Sequence, residues 1–125
     1  MREEPARRYT VEEANAALPA VRPLVQTLHD AQAVMEERHD EVMASVPTNG
    51  GGDVHRAFLR AAESASRSLE ALTEMSIVVR DPGSGLIDFP STRDGREVYL
   101  CWRLGEDRVA YWHTSESGFA GREPL

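Results

Sequence analysis

The sequence predicts an α+β protein in which a long antiparallel helical hairpin, preceded by a short helix, is followed by a small antiparallel three-stranded β-sheet. Two patterns along the chain predict this fold. Over residues 10–76, apolar side chains recur every three or four positions, which is the period of an amphipathic helix. Over residues 77–125, they alternate with polar side chains between turn-forming residues, as in β-strands. A chain of 125 residues is about one domain long, so we assign residues 1–125 to a single domain.

Composition and charge limit the classes of function. The chain carries 21 acidic and 14 basic residues, giving a formal net charge of −7, and every basic residue is Arg. Because an acidic chain is repelled by phosphate backbones, we expect no nucleic-acid partner. The absence of Lys excludes Schiff-base chemistry. No apolar run is long enough to span a membrane, and Cys101 has no second cysteine to pair with, so we expect a cytoplasmic protein without a membrane anchor.

A short helix begins the predicted helical part. Thr10 and Glu13 have the spacing of a capping box, in which each side chain accepts a hydrogen bond from the backbone N–H of the other residue. Pro19 and Pro23 follow, and each lacks the N–H that an interior helical turn requires. We therefore expect this helix to span residues 11–18.

Two longer helices are expected over residues 23–46 and 53–76, with a glycine-rich turn at 50–52 between them. Their similar lengths favour an antiparallel hairpin. Apolar residues of the first helix repeat every seven positions, as in a coiled coil, with Gln32 and His39 as polar exceptions. Because such a hairpin buries only one face of each helix, we expect a homodimer.

Three strands are expected over residues 86–90, 96–104 and 108–113, and side-chain alternation assigns their residues to two faces of the sheet. The more apolar face, which should pack on the helices, carries Val98, Leu100, Trp102, Leu104, Val109, Tyr111 and His113, and the other carries Tyr99, Cys101, Arg103, Ala110 and Trp112. This assignment separates Cys101 from His113, which argues against a nucleophilic Cys–His pair and for a buried structural thiol.

Glu36 and His39 are the first candidate metal ligands. Their i, i+3 spacing places a carboxylate and an imidazole on one face of a helix, as in di-metal helical bundles. Such sites need two of these pairs, and a homodimer would supply the second. The alternative, which we favour, is a solvated acidic stretch in which His39 fixes the register of the helices.

A second candidate metal site combines an imidazole with carboxylates from the strands and loops, a donor set that suits zinc, iron or manganese. Its residues are His113 with Asp88, Glu106 or Glu116. The alternative, which we again favour, is that His113 donates to a backbone carbonyl while Asp88 pairs with an Arg such as Arg93 or Arg122.

Aromatic residues concentrate in the last quarter of the chain. Tyr99 and Trp112 on the second sheet face, with Phe119 and Arg122 from the tail, form a candidate binding surface. Its occupant is either a partner or the tail itself, folded back with Arg122 paired to an acid such as Glu97 or Asp88. Packing within the chain is the interpretation we favour.

The tail motifs GLIDFP, DGREVYLCW, GED, YWH and GFAGR, together with the opening YTVEEANAALPAVRPLV, resemble the bacterial family catalogued as domain of unknown function 2203. The resemblance covers both ends of the chain, whereas the middle matches only in being helical. It implies a standalone bacterial cytoplasmic protein. The family has no established activity, so the resemblance transfers no catalytic residue.

No motif identifies a reaction, and our leading hypothesis is a non-enzymatic, dimeric binding or assembly protein, with a protein partner as one use of its surface. The alternative is a protein that binds a divalent metal through the Glu, His and Asp residues above. A weaker alternative is a small-molecule binder whose cleft between sheet and helices is oriented by Arg93 and Arg122.

Overall fold

The computed structural model describes residues 7–45 and 52–125. Within them, helix α1 spans Val11–Ser45 and helix α2 spans Asp53–Glu74. The strands are β1 (Val78–Asp81), β2 (Leu86–Arg93), β3 (Arg96–Arg103), β4 (Tyr111–Thr114) and β5 (Glu123–Pro124), and a 3₁₀ turn, Phe119–Gly121, precedes the last of them. The strands form one antiparallel sheet in chain order. The α+β class is confirmed.

Helix α1 begins at the expected capping box. The Thr10 N–H donates to Glu13 Oε1 at 2.9 Å, and the Glu13 N–H donates to Thr10 Oγ1 at 3.0 Å. Hydrogen bonding of the Glu13 carboxylate with the backbone N–H and the side chain of Thr10 favours its ionised form and lowers the pKa of Glu13. The local signal for a helix start is therefore confirmed.

The predicted end of that helix at residue 18 is wrong, because α1 is one continuous helix. Pro19 and Pro23 lie inside it, four residues apart on its exposed side. Each proline removes one backbone hydrogen bond. The opposite side is at most 5% exposed and packs on the rest of the protein through Ala14, Leu18, Val21, Val25 and Leu28. Burial of this apolar row outweighs the local preference of the two prolines.

The sheet has five strands where three were predicted. The additional strands β1 and β5 are four and two residues long, too short for a visible alternation. The third predicted strand, 108–113, begins only at Tyr111. The reason is that the Asn15 side chain of α1 takes up the hydrogen-bonding groups of the Val109 backbone. The Val109 N–H donates to Asn15 Oδ1 at 2.8 Å, and Asn15 Nδ2 donates to the Val109 carbonyl at 3.3 Å.

The sheet is buried on both faces. We call the face toward α1 and α2 the helix face; it carries Ile87, Phe89, Leu100 and Trp102, each at most 2% exposed. We call the opposite face the tail face, because Phe119 and Arg122 of the C-terminal segment lie over it. No helix within the described residues is both long and apolar enough to cross a membrane.

The predicted faces are right for β3 and wrong for β4. In the structure Tyr99 pairs with His113, and Leu100 pairs with Trp112. Trp112 therefore packs against the helix-face core, and His113 lies on the tail face. A shift of one residue in register moves every side chain of a strand to the other face. The seven-residue connection 104–110 between β3 and β4 produces this shift.

Candidate functional site

Three chemically versatile side chains come together on the tail face. Asp88 of β2, Cys101 of β3 and His113 of β4 offer donor atoms that all lie within 4.8 Å of one another. They are 1%, 0% and 4% exposed, respectively. We call these three residues the tail-face cluster. Asp88 and Cys101 are direct cross-strand partners, so their proximity follows from the register of β2 and β3.

His113 is held in one orientation. Its Nδ1 lies 2.6 Å from the carbonyl oxygen of Thr114, and its Nε2 lies 2.9 Å from both carboxylate oxygens of Asp88. Because a carbonyl oxygen can only accept, Nδ1 carries a proton and donates it to Thr114. The Nε2 atom is thereby directed into the cluster. Histidines that bind metals use this arrangement, in which the second ring nitrogen donates to a carbonyl or carboxylate.

Asp88 is hydrogen-bonded from two sides. The Arg80 Nε–H donates to Asp88 Oδ2 at 2.7 Å, and His113 Nε2 lies 2.9 Å from Asp88 Oδ1. Burial by itself would lower the pKa of Arg80, but the hydrogen bond to Asp88 and the charge of its carboxylate outweigh that effect and raise it. The expected donation from His113 to a backbone carbonyl is confirmed. The expected pairing of Asp88 with an Arg is also confirmed, but the partner is Arg80 and neither Arg93 nor Arg122.

Cys101 is a protonated thiol at neutral pH. Burial raises its pKa to about 11, although Arg122 Nη1, 3.8 Å from Sγ, acts in the opposite direction. The prediction that Cys101 and His113 lie on opposite faces is wrong, because β4 has the other register. The thiol nevertheless lacks the lowered pKa of an activated nucleophile. The tail-face cluster therefore has the residue types of a Cys–His–Asp triad without its electrostatics.

Arg122 closes the cluster from the tail. Its guanidinium makes two hydrogen bonds to Glu106, Nη1 to Oε1 at 3.2 Å and Nη2 to Oε2 at 2.7 Å. It lies over the ring of Tyr111 at 3.9 Å and over that of Phe119 at 4.5 Å. The hydrogen bond to Glu106 is the main reason that the pKa of Arg122 is raised. The expected pairing with Glu97 or Asp88 is wrong; Glu97 pairs with Arg8.

Three of the other predicted metal ligands, Glu36, His39 and Glu116, lie away from this cluster. Glu36 and His39 are exposed on α1, and Glu116 is exposed in the loop after β4. Over the described ranges 7–45 and 52–125, the tail-face cluster is the one group of three His, Cys or acidic side chains close enough to share a metal ion. The structure thus brings together two of the predicted ligands, Asp88 and His113, and adds Cys101.

The predicted aromatic surface is divided between the two faces. Tyr99 stacks on the His113 ring at 5.6 Å between centroids, on the tail face with Phe119 and Arg122. Trp112 lies on the helix face, where the Arg93 guanidinium is 4.6 Å from its ring centroid. Arg93 and Arg122 are therefore on opposite sides of the sheet. A single cleft between sheet and helices oriented by both arginines is excluded.

Sequence reasoning missed Cys101 and Arg80 as members of the site. A usable signal for Cys101 was present in the dipeptide Asp94–Gly95, which is typical of a two-residue hairpin turn. Both residues have positive φ, 52° and 78°, as such a turn requires. Closing the hairpin there pairs Arg93 with Arg96 and, five residues further along each strand, Asp88 with Cys101. Arg80 carried no comparable signal, because β1 is short.

The fold and site define a small α+β protein in which a five-stranded antiparallel meander packs one face on two helices and encloses a buried Asp–Cys–His cluster on the other. This chain belongs to the family described as "Uncharacterized conserved protein (DUF2203)", whose model matches residues 7–125. The resemblance noted in the sequence is thereby confirmed. No curated protein and no solved structure matches the chain.

Proposed function

We propose that this protein binds a divalent transition-metal ion, Zn²⁺, through Asp88, Cys101 and His113. The observation that carries the proposal is the convergence of one carboxylate, one sulfur and one imidazole nitrogen within 4.8 Å, on side chains that are at most 4% exposed. Zinc sites in proteins are built from these three donor types. The hydrogen bond from His113 Nδ1 to Thr114 supports the proposal, since it leaves Nε2 as the ligand atom.

The charge of the site supports a divalent ion. The cluster holds the carboxyl group of Asp88 and the thiol of Cys101, whose proton a bound metal would displace. A carboxylate and a thiolate together carry the two negative charges that one dication neutralises. Burying a charge without compensation is costly, so this exchange is far easier than adding a cation to a neutral interior.

The donor set favours zinc over the other metals that the sequence suggested. Manganese prefers sites made of carboxylate, carbonyl and water oxygens, whereas thiolate and imidazole ligands suit zinc. Iron shares the preference for imidazole, but its characteristic thiolate sites in proteins are clusters held by several cysteines. The chain has a single cysteine.

The test uses the full chain without a histidine tag. Elemental analysis should find zinc near one equivalent, and Co²⁺ exchanged into the site should give a thiolate-to-cobalt charge-transfer band. The Cys101→Ser variant should lose that band. His39→Ala is the matched control, because His39 is an exposed histidine on α1. Protein that is free of metal and gives no band when cobalt is added would contradict the proposal, and loss of the band in His39→Ala would assign the metal elsewhere.

A second candidate function is assembly through the helices, as an antiparallel hairpin that forms a homodimer. The specific observation is that Leu59 and Leu69 of α2 are 58% and 45% exposed. With Ala62 and Ser66 they follow a spacing of three, four and three residues, which places all four on one side of the helix. A second copy of the chain is the occupant we propose for this stripe.

Sedimentation velocity at tens of micromolar protein tests this assembly. The wild type should sediment as a dimer, and Leu59→Glu combined with Leu69→Glu should sediment as a monomer of half that mass. Arg67→Glu, an exposed change on the charged side of α2, is the control and should leave the dimer intact. A monomeric wild type would contradict the proposal.

A further inference from the structure

We infer that Glu106 is the fourth ligand of the metal and that Arg122 is an internal cation that competes with the metal for this position. The inference rests on the proposed zinc binding. It adds a ligand outside the tail-face cluster and a residue that regulates occupancy. It also makes the site a closed one with four protein ligands.

The first argument is the position of the Arg122 guanidinium. Its Nη1 atom lies 3.8 Å from Cys101 Sγ and 3.2 Å from Glu106 Oε1. One guanidinium nitrogen therefore contacts both the thiol sulfur and a carboxylate oxygen. A metal ion bound to Cys101 and Glu106 needs the same space and is attracted by the same two groups. The cation and the metal exclude one another.

The second argument is the dependence of Glu106 on a cation. The Glu106 side chain is only 19% exposed, and Arg122 neutralises it through two hydrogen bonds. If Arg122 withdraws, the carboxylate is left largely buried without a counter-charge, which is unfavourable. A dication at the cluster restores that counter-charge. The Arg103 N–H, which donates to Glu106 Oε1 at 2.8 Å, keeps the carboxylate beside the cluster during the exchange.

The third argument concerns access. The three cluster side chains are at most 4% exposed, so a metal reaches them only when part of their cover moves. The C-terminal segment that carries Arg122 covers the cluster with little buried area of its own: the 3₁₀ turn Phe119–Gly121 contains no buried residue, and β5 pairs with β4 at two positions. Segments with little buried area open at the lowest free-energy cost. Opening therefore removes the competing cation and admits the metal in one movement.

The number of ligands bears on function. A site with three protein ligands keeps an open position for water or substrate, which is typical of catalytic zinc, whereas four protein ligands are typical of structural zinc. With Glu106 bound, the ligand set is one imidazole, one thiolate and two carboxylates. Arg80 on Asp88 balances the extra negative charge. This assignment favours a structural or regulatory metal over a catalytic one.

Two variants and two matched controls test the inference in the full chain, with Zn²⁺ alone as the ligand and a chromophoric chelator as the competitor. Arg122→Gln should raise the affinity for Zn²⁺ by about tenfold or more, in the range usual for coupling between two binding events. Arg93→Gln is its control, because Arg93 also lies over an aromatic ring, that of Trp112, but on the opposite face of the sheet from the cluster. It should bind Zn²⁺ as the wild type does.

The role of Glu106 as a ligand is tested in the Arg122→Gln variant, in which the guanidinium no longer competes with the metal. Arg122→Gln combined with Glu106→Gln should lose the gain in affinity, and its cobalt-substituted form should show a changed visible spectrum because one ligand is missing. Arg122→Gln combined with Glu116→Gln is the control and should retain the gain, since Glu116 is an exposed carboxylate.

The outcomes separate this inference from the proposed function. If the wild type binds Zn²⁺ through Cys101 but Arg122→Gln binds no more tightly than Arg93→Gln, Arg122 does not compete with the metal, and the proposed zinc binding stands. If Arg122→Gln binds Zn²⁺ equally tightly with and without the Glu106→Gln change, Glu106 is not a ligand of the metal. If no variant gives a thiolate-to-cobalt band, both the inference and the proposed function fail.

Discussion

The helix face and the tail face of the sheet are both buried at their centres, but by opposite chemistry. Phe89 and Trp102 on the helix face are 0% exposed within an apolar cluster, and the indole Nε1–H of Trp102 donates to the backbone carbonyl of Glu106 at 3.1 Å. Asp88 and Cys101 on the tail face are 1% and 0% exposed among polar and charged partners. Low exposure alone therefore does not distinguish a core from a site. The site is distinguished from the core by the hydrogen bonds that its polar and charged side chains make with one another.

The two faces should respond differently to substitution. Apolar burial is non-directional and roughly proportional to area, so the helix face loses stability according to the volume removed. A buried polar cluster is stable only while every member has its partner, so removing one member costs more than its own interactions are worth. Removing all members together costs much less. Both expectations can be tested by measuring the free energy of unfolding of variants on each face of the sheet.

The largest effect is expected at the centre of the helix face. Trp102→Ala should lower the free energy of unfolding by about 4 kcal/mol, because the cavity adds to the lost apolar transfer free energy. Urea unfolding followed by circular dichroism measures it. Trp102→Phe keeps most of the volume and should cost clearly less. A loss below about 1 kcal/mol for the alanine variant would contradict the assignment of Trp102 to the core.

The next effect sharpens the comparison on the tail face. His113→Ala, measured with a chelator so that metal does not contribute, should lower the free energy of unfolding by about 3 kcal/mol, because Asp88 loses one of its two partners while it stays buried. A triple variant, Arg80→Met with Asp88→Leu and His113→Phe, should unfold within about 1 kcal/mol of the wild type. A triple variant that is less stable than the single one would contradict the polar account of this face.

A smaller effect is expected at Gly85, where the loop before β2 closes against the helix face. An added Cβ would lie 2.6 Å from Leu104 Cβ and 3.2 Å from Val25 Cγ1, at a φ of +69°. Gly85→Ala should cost about 2 to 3 kcal/mol in thermal or urea unfolding. Gly95→Ala is the matched control: its φ is +78°, but nothing lies within 4 Å of the added Cβ. It should cost only about 1 kcal/mol, and equal costs would refute the packing argument.

The part of this fold that was readable from the sequence is the part set by local signals. The capping box of Thr10 and Glu13 and the alternation along β3 predicted a helix start and a helix face correctly. Pro19 and Pro23 were also local signals, but they misled, because the apolar row on the other side of α1 is stabilised by contacts with distant elements. Propensity reports what a segment prefers alone, and packing can overrule it.

The site was half predicted because two hairpins of the sheet differ in how their register is set. The β2–β3 register follows from the two-residue turn at Asp94–Gly95 and is readable from the sequence. The β3–β4 register depends on a longer connection whose residue Val109 is held by Asn15, 94 positions earlier in the chain. No short-range pattern reports such a contact. The pairing of Asp88 with Cys101 was therefore within reach of the sequence, whereas the placement of His113 on the same face had to come from the structure.

The smallest effect is expected at the first turn of α1, where Thr10 and Glu13 are exposed and are not part of the core on the helix face. Thr10→Ala removes one side of the capping box and should cost about 1 kcal/mol in urea unfolding.

Glu13→Gln should change how the stability of the protein depends on pH. The hydrogen bonds from Thr10 lower the folded-state pKa of Glu13 below its ordinary value of 4.5, so the carboxylate contributes stability above that value. The contribution is lost as the pH falls through the lowered pKa. Wild-type stability should therefore fall more steeply than that of Glu13→Gln below about pH 4.5, and Glu12→Gln, one position away, should follow the wild type. Parallel acid-unfolding curves for Glu13→Gln and Glu12→Gln would show that the capping box does not stabilise the start of α1.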